Sequence, residues 1–164
     1  MKYIITHKQY HLLQEQTEEV LKLLSLDYFG GWNALQKYLA AKNNPPYSIE
    51  GDLYLVDSNI ISLGNLVSVK GNLQLNGSKI ESLGNLTSVG GNLYAYMGEL
   101  ESLGNLTSVG GDLDLKMTDV LDFGNLKNVG GNLELGRSKI LFNYNSPKKI
   151  RSIVNVGGNI KTKV

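Results

Sequence analysis

GNLQLNGSKIESLGNLTSVG, residues 71–90, is followed at once by GNLYAYMGELESLGNLTSVG, residues 91–110. The two stretches align without a gap, and Gly51, Gly111 and Gly131 open further copies of the pattern. A fixed period of 20 residues marks stacked repeats. In the copy that opens at Gly51 the apolar sites are Leu53, Leu55, Ile60, Leu63, Leu66 and Val69. Leu53 and Leu55 stand two apart, the strand period. The later sites step by three around Gly64-Asn65, and Gly costs about 1 kcal/mol inside a helix. The pattern therefore predicts a strand, then corners and short extended pieces, with all six side chains pointing inward. Successive turns stacked at about 4.8 Å form a β-solenoid. The fifth copy carries seven extra residues within 141–149 and then recovers, with Ile150, Ile153 and Val156 standing where Leu63, Leu66 and Val69 stand in the first. The solenoid is expected over 47–164, about five and a half turns.

The residues before it read differently. Of 19 Gly in 164 residues, only Gly30 and Gly31 precede position 51. The composition shifts at the breaker cluster Asn43-Asn44-Pro45-Pro46, so residues 1–46 are expected to form a separate helical cap. Thr6 and Gln9 match a capping box, and Tyr10, Leu13, Val20, Leu21 and Leu24 follow at roughly helical spacing, which predicts a first helix from about His7 to Leu24. Asp27 to Gly31 breaks it. A second helix is predicted from Trp32 to Ala41, with Trp32, Leu35, Tyr38 and Leu39 on one side. The end turn of a solenoid bonds on one side only and needs a lid, which these two α-helices would supply. The apolar opening Met1 to Thr6 is too short for a signal peptide, and no apolar run approaches the ~18 residues of a membrane span. The expectation is a soluble, cytoplasmic protein with no membrane contact.

The pattern Val-Gly-Gly-Asn-Leu-x-Leu, with Leu-Gly-Asn-Leu-x-Ser-Val downstream, resembles bacterial leucine-rich-repeat proteins. It is most similar to repeats like those of the receptor L-domain, and the similarity covers about 49–163. The resemblance implies a short right-handed, single-stranded β-helix that recognises a partner. Two departures, an extra residue between Val89 and Leu93 and Ser, Thr or Gly where an Asn usually follows the strand, favour a straight coil over a curved horseshoe. The opening Met1-Lys2-Tyr3-Ile4-Ile5-Thr6 before a Gln-rich helix also resembles small bacteriophage proteins.

Catalytic constellations are sparse. There is no Cys, so disulfides, thiolate metal sites and a Cys nucleophile are excluded. His7 and His11 share a predicted helix face but lack the further ligands a metal needs. With both His in the leader, a Ser-His-Asp triad is not expected either. Acidic pairs such as Asp112 and Asp114 could flank a sugar bond, the basis of a carbohydrate-binding or cleaving alternative. The reading is of a non-enzyme with no cofactor and no metal. Two repeated polar columns, Gly64-Asn65 with its equivalents and Ser58, Ser78, Gly98, Thr118, Ser138, are expected to be structural ladders.

What remains informative is the outward strand face. Its columns are Tyr54, Gln74, Tyr94, Asp114, Glu134, then Val56, Asn76, Tyr96, Lys116, Gly136, and beside them Asp57, Gly77, Met97, Met117, Arg137. Tyr94, Tyr96, Met97 and Met117 are expected to cluster, with Tyr54 near one end. Aromatics and Met are enriched where proteins bind one another, so these five are the candidate partner-binding residues. Charge supplies the second clue. Residues 51–130 carry four basic and nine acidic side chains, whereas 131–164 carry seven basic and one acidic. Arg137, Lys139, Lys148, Lys149, Arg151, Lys161 and Lys163 form a basic end, suited to an acidic partner or to keeping a strand edge from aggregating. The overall charge of +1 argues against general nucleic-acid binding. A homodimer through the strand edge at residues 158–164 is the alternative to an unidentified protein partner.

Overall fold

The computed structural model describes residues 20–163, which form a parallel β-solenoid. Two parallel sheets run along the stack. One contains β1 (Leu21–Leu23), β2 (Tyr47–Ile49), β4 (Leu66–Val69), β6 (Ser88–Val89), β8 (Ser108–Val109), β10 (Asn128–Val129) and β12 (Asn155–Val156), in that order. The other contains β3 (Leu53–Tyr54), β5 (Leu73–Gln74), β7 (Leu93–Tyr94), β9 (Leu113–Asp114), β11 (Leu133–Glu134) and β13 (Ile160–Lys161). Leu53, Leu73, Leu93, Leu113 and Leu133 pair in sequence, 20 residues apart, and Leu133 then pairs with Ile160. Four 20-residue turns are thus followed by one longer turn, in which the partner lies 27 residues on.

The inward positions follow from the repeat. Leu53, Leu55, Leu63, Leu66 and Val69 are buried, as are their equivalents up to Leu133 and Leu135. Ile60 is the exception in its column. Ile80, Leu100, Val120 and Ile140 are buried, but Ile60 is half-buried beside an open cleft at the first turn. Corners form by a repeated local device. Ser62, Ser82 and Ser102 accept a hydrogen bond at the side-chain oxygen from the N–H of the Gly two residues on, at 3.0–3.1 Å, and Asp122 does the same at 2.7 Å. Those glycines, Gly64, Gly84, Gly104 and Gly124, hold φ between +50° and +60°, which glycine adopts without steric cost.

The Gly-Gly joints have another cause. A Cβ added to Gly110 would fall on the Gly90 carbonyl oxygen, and Gly130 meets Gly110 in the same way. The backbones approach too closely for any side chain. Next to each joint lies a polar ladder. Oδ1 of Asp52, Asn72, Asn92, Asp112 and Asn132 accepts from the backbone N–H of the equivalent residue in the next turn, at 2.6–2.9 Å. Of the two columns expected to be ladders, the Asn65 column is bonded from Asn85 to Asn65 at 3.1 Å and from Asn65 to the Asn44 carbonyl at 2.6 Å. In the other, Ser78, Thr118 and Ser138 are buried, and the last two are 3.1 Å apart.

The N-terminal end corrects part of the sequence reading. Most of the helix expected from His7 to Leu24 lies outside the described residues, but its last part, Leu21–Leu23, is strand β1, paired in parallel with β2. Leu21 and Leu23 are buried while Lys22 is exposed, a two-residue alternation that caps the sheet. The second helix is present as α1 (Trp32–Ala40), burying Trp32, Leu35 and Leu39 in the same core as the solenoid. Gln36 Nε2 donates to the Tyr47 hydroxyl at 3.3 Å, and that hydroxyl donates to the Leu63 carbonyl at 2.8 Å, so α1 sits on the first turn.

The long turn holds a 3₁₀ segment, Lys139–Phe142, and a short helix α2 (Pro147–Arg151). The Ser146 side chain caps α2 and Pro147 takes the first helical position. Ile150 is buried as expected, but Ile153 is exposed and Val154 takes the inward place. The N–H groups of Ile153 and Val154 both turn back to the Ile150 carbonyl, so the end of α2 rotates the chain one residue out of phase. Among the described residues no helix is long and apolar enough to cross a membrane.

Candidate functional site

The face of the β3–β13 sheet carries the first of the expected outward columns, and the other two lie beyond the strand ends. In register across it run Tyr54, Gln74, Tyr94, Asp114, Glu134 and Lys161. Tyr96 and Met97 leave the end of β7, and Met117 occupies the place of Met97 one turn further on. Tyr94 is half-buried. Tyr96 is 38 % exposed, Met97 55 % and Met117 37 %, which makes a patch across two neighbouring turns. Tyr54 is exposed two turns away and donates from its hydroxyl to Asp52 at 2.6 Å, which holds the Asp52 carboxyl below the usual carboxylate range.

The Met positions are conformationally unusual. Asp57, Gly77, Met97, Met117 and Arg137 all lie in the left-handed region, with φ from +48° to +64°. Their column is therefore a corner that ends each strand, not a continuation of it. Glycine fits there, as at Gly77, whereas an L side chain costs about 1–2 kcal/mol. The stack holds the corner by backbone bonds, Met97 N–H to the Lys116 carbonyl at 3.1 Å and Met117 N–H to the Gly136 carbonyl at 3.0 Å.

Charged groups border the patch on one side. Lys116 Nζ lies 3.0 Å from Asp114, 3.7 Å from Glu134 and 5.7 Å from the centre of the Tyr96 ring. Its hydrogen bond to Asp114 raises the ammonium pKa above the usual lysine value, so Lys116 is a fixed cation over the aromatic ring. Lys161 closes the row on Glu134 at 2.7 Å.

The remaining sequence candidates separate. Asp112 is a rung of the inter-turn ladder, and Asp114 accepts from the Lys116 N–H at 2.9 Å as well as from its ammonium. Neither lines the cleft of about 540 Å³ formed by Gly30, Gly31, Trp32, Asn33 and residues 59–62 at the other end. His7 and His11 lie outside the described residues, and among those described no cluster of three or more His, Asp or Glu is placed to hold a metal. The basic end is largely tied down. Lys139 pairs with Asp119 at 2.9 Å, and Lys149 donates to the Asn143 carbonyl at 2.6 Å over the Tyr144 ring. Arg151 donates to the Val156 and Gly158 carbonyls. Arg137, Lys148 and Lys163 are exposed.

Two features escaped the sequence reading. The Asp/Asn ladder was legible, since position two of every turn is Asp or Asn. The Arg151 bonds had only an indirect signal: with seven residues inserted, Arg151 stands where the corner glycine Gly124 stands one turn earlier. The fold and its outward face define a parallel β-solenoid with an exposed Tyr/Met patch. Comparison with family models, curated proteins and solved structures gave no match.

Proposed function

We propose that the chain is a non-enzymatic interaction module, a leucine-rich, L-domain-like solenoid that offers its strand face to a protein partner. The observation that carries this reading is the group of exposed Tyr96, Met97 and Met117, with half-buried Tyr94 beside them, on two neighbouring turns. Exposed aromatic and Met side chains are the types enriched in interface cores. Met is adaptable in packing, and its placement in a strained corner where glycine is cheaper argues that the side chain is wanted there. Lys116, fixed beside Tyr96 between Asp114 and Glu134, would give the patch a polar rim.

The double substitution Tyr94→Ser with Tyr96→Ser tests the reading. Pull-downs from the native host with wild-type and variant chains would be compared. The expected result is a partner captured by the wild type and lost in the variant, with an unchanged circular dichroism spectrum and melting temperature. Equal capture by both chains refutes the assignment of this face.

A further inference from the structure

Every Gly-Gly joint of the stack is held by the same two bonds. The first joint residue donates its N–H to the carbonyl of the apolar residue at the matching joint one turn earlier. The second donates to the carbonyl of the glycine there. Gly110 donates to Val89 and Gly111 to Gly91; Gly130 donates to Val109 and Gly131 to Gly111; Gly157 donates to Val129 and Gly158 to Gly131, all at 2.8–2.9 Å. The last joint presents the corresponding acceptors, the carbonyls of Val156 and Gly158. One guanidinium holds both of them. Arg151 Nη1 donates to Val156 O, and Nη2 donates to Gly158 O at 2.6 Å.

We propose that Arg151 is a built-in terminator: its guanidinium takes the place of the two N–H groups of a following turn and closes the solenoid edge against a second copy of the chain. The residue type suits the task. Arg presents several N–H donors in a rigid planar fork, so one side chain reaches two oxygens at once. Bonds from an ionised donor are roughly twice as strong as neutral ones. The placement is also built. Ile150, fully buried, anchors α2 to the core, and Arg151 is the next residue. The seven-residue lengthening of the last turn supplies the helix that carries it. Whatever follows residue 164, a strand cannot use this joint while Arg151 occupies it.

An open edge of parallel strands is a template for pairing with another chain. Exposed Lys148 and Lys163 also place charge near this edge, while Lys161 is paired with Glu134, so the test has to separate charge from the bonded joint. If Arg151 is removed, the edge formed by β12 and β13 is free to meet the same edge of another molecule about a two-fold axis.

Light scattering on the full chain over a concentration series tests this with Arg151→Ala, Arg151→Lys and Lys163→Ala. The wild type should hold a mass of 18.0 kDa throughout. Arg151→Ala should rise with concentration toward twice that mass. Arg151→Lys keeps the charge but cannot span both carbonyls, and should associate to an intermediate degree. Lys163→Ala removes one charge from the same end without touching the joint and should stay monomeric. The proposal is overturned if Arg151→Ala remains a monomer with an unchanged circular dichroism spectrum. It is equally overturned if the wild type associates, or if Lys163→Ala associates as strongly as Arg151→Ala. Should Arg151→Ala not fold, Arg151→Lys decides: a monomer at all concentrations overturns the proposal.

Discussion

Gly110 and Gly84 both become Ala by one methyl group, yet the structure assigns them different costs. At Gly84 the added Cβ meets nothing within 4 Å, and the only penalty is the φ of +55°. A single L residue in that region costs about 1–2 kcal/mol. At Gly110 the φ is ordinary, but the Cβ would fall on the Gly90 carbonyl oxygen, with the carbonyl carbon at 3.0 Å. Relief requires the two turns to part by about 1 Å, which carries their hydrogen bonds beyond useful length. The bonds at risk are Gly110 N–H to Val89 O at 2.8 Å and Gly111 N–H to Gly91 O at 2.9 Å. Two such bonds at about 0.5–1.5 kcal/mol each, with about 1–3 kcal/mol for overpacking, give about 2–6 kcal/mol. Urea unfolding followed through the single tryptophan, Trp32 in the core, measures both variants. With a slope of about 2 kcal/mol per molar urea, Gly110→Ala should lower the midpoint by about 1–3 M and Gly84→Ala by about 0.5–1 M. If the two variants lose the same stability, close approach at the joints is not what selects glycine there.

Other substitutions probe the lid, the core and the ladder. Tyr47→Phe removes a buried hydroxyl that donates to Leu63 and accepts from Gln36, and should cost about 1–3 kcal/mol in urea unfolding. Burial raises the Tyr47 pKa, so its contribution is complete below the ordinary tyrosine value of about 10 and declines as pH rises past it. Tyr47→Phe should make that alkaline decline shallower, leaving the part owed to other groups with raised pKa values, such as half-buried Tyr38. Phe123→Ala empties a fully enclosed site beside the Tyr144 ring and should cost about 3–5 kcal/mol by the same assay. The Asp52 pKa is lowered by the Tyr54 hydroxyl and then by the Asn72 N–H, so its contribution is present above about 3.9 and is lost as pH falls through the lower folded value. Asp52→Asn should flatten that part of an acid unfolding curve.

The stack was readable because a repeat states each position several times. The in-out assignment of Leu53, Leu63 and Val69 rests on five copies, and chance cannot hide it. Where a residue occurs once, or where a repeat is interrupted, local spacing misleads. Leu21 and Leu24 fit a helix, but the first sheet strand needed a parallel partner, and the alternation of Leu21 and Leu23 supplied one. Ile153 matched the repeat by count, and the added rotation of α2 moved Val154 into its place. Asp112 looked free for chemistry because its pair, Asp114, stands two residues away, whereas its bonding partner, Asn132, stands twenty away in the next turn. The Tyr and Met columns were legible from strand alternation, but the left-handed corner under Met97 and Met117 was not. Only Gly77 in that column signals it.

The constant 20-residue register has a consequence for how the chain can change length. Residues 91–110 bond to the turn before and the turn after through the same backbone positions. Excising them would bring 71–90 against 111–130 with the same joint, ladder and corner bonds re-formed. The gene can therefore lose or duplicate one whole turn at little structural cost, whereas loss of a single residue shifts every later column. The outward face obeys no such rule. Removing that one turn would erase Tyr94, Tyr96 and Met97 together, so the scaffold is divisible and its surface message is not.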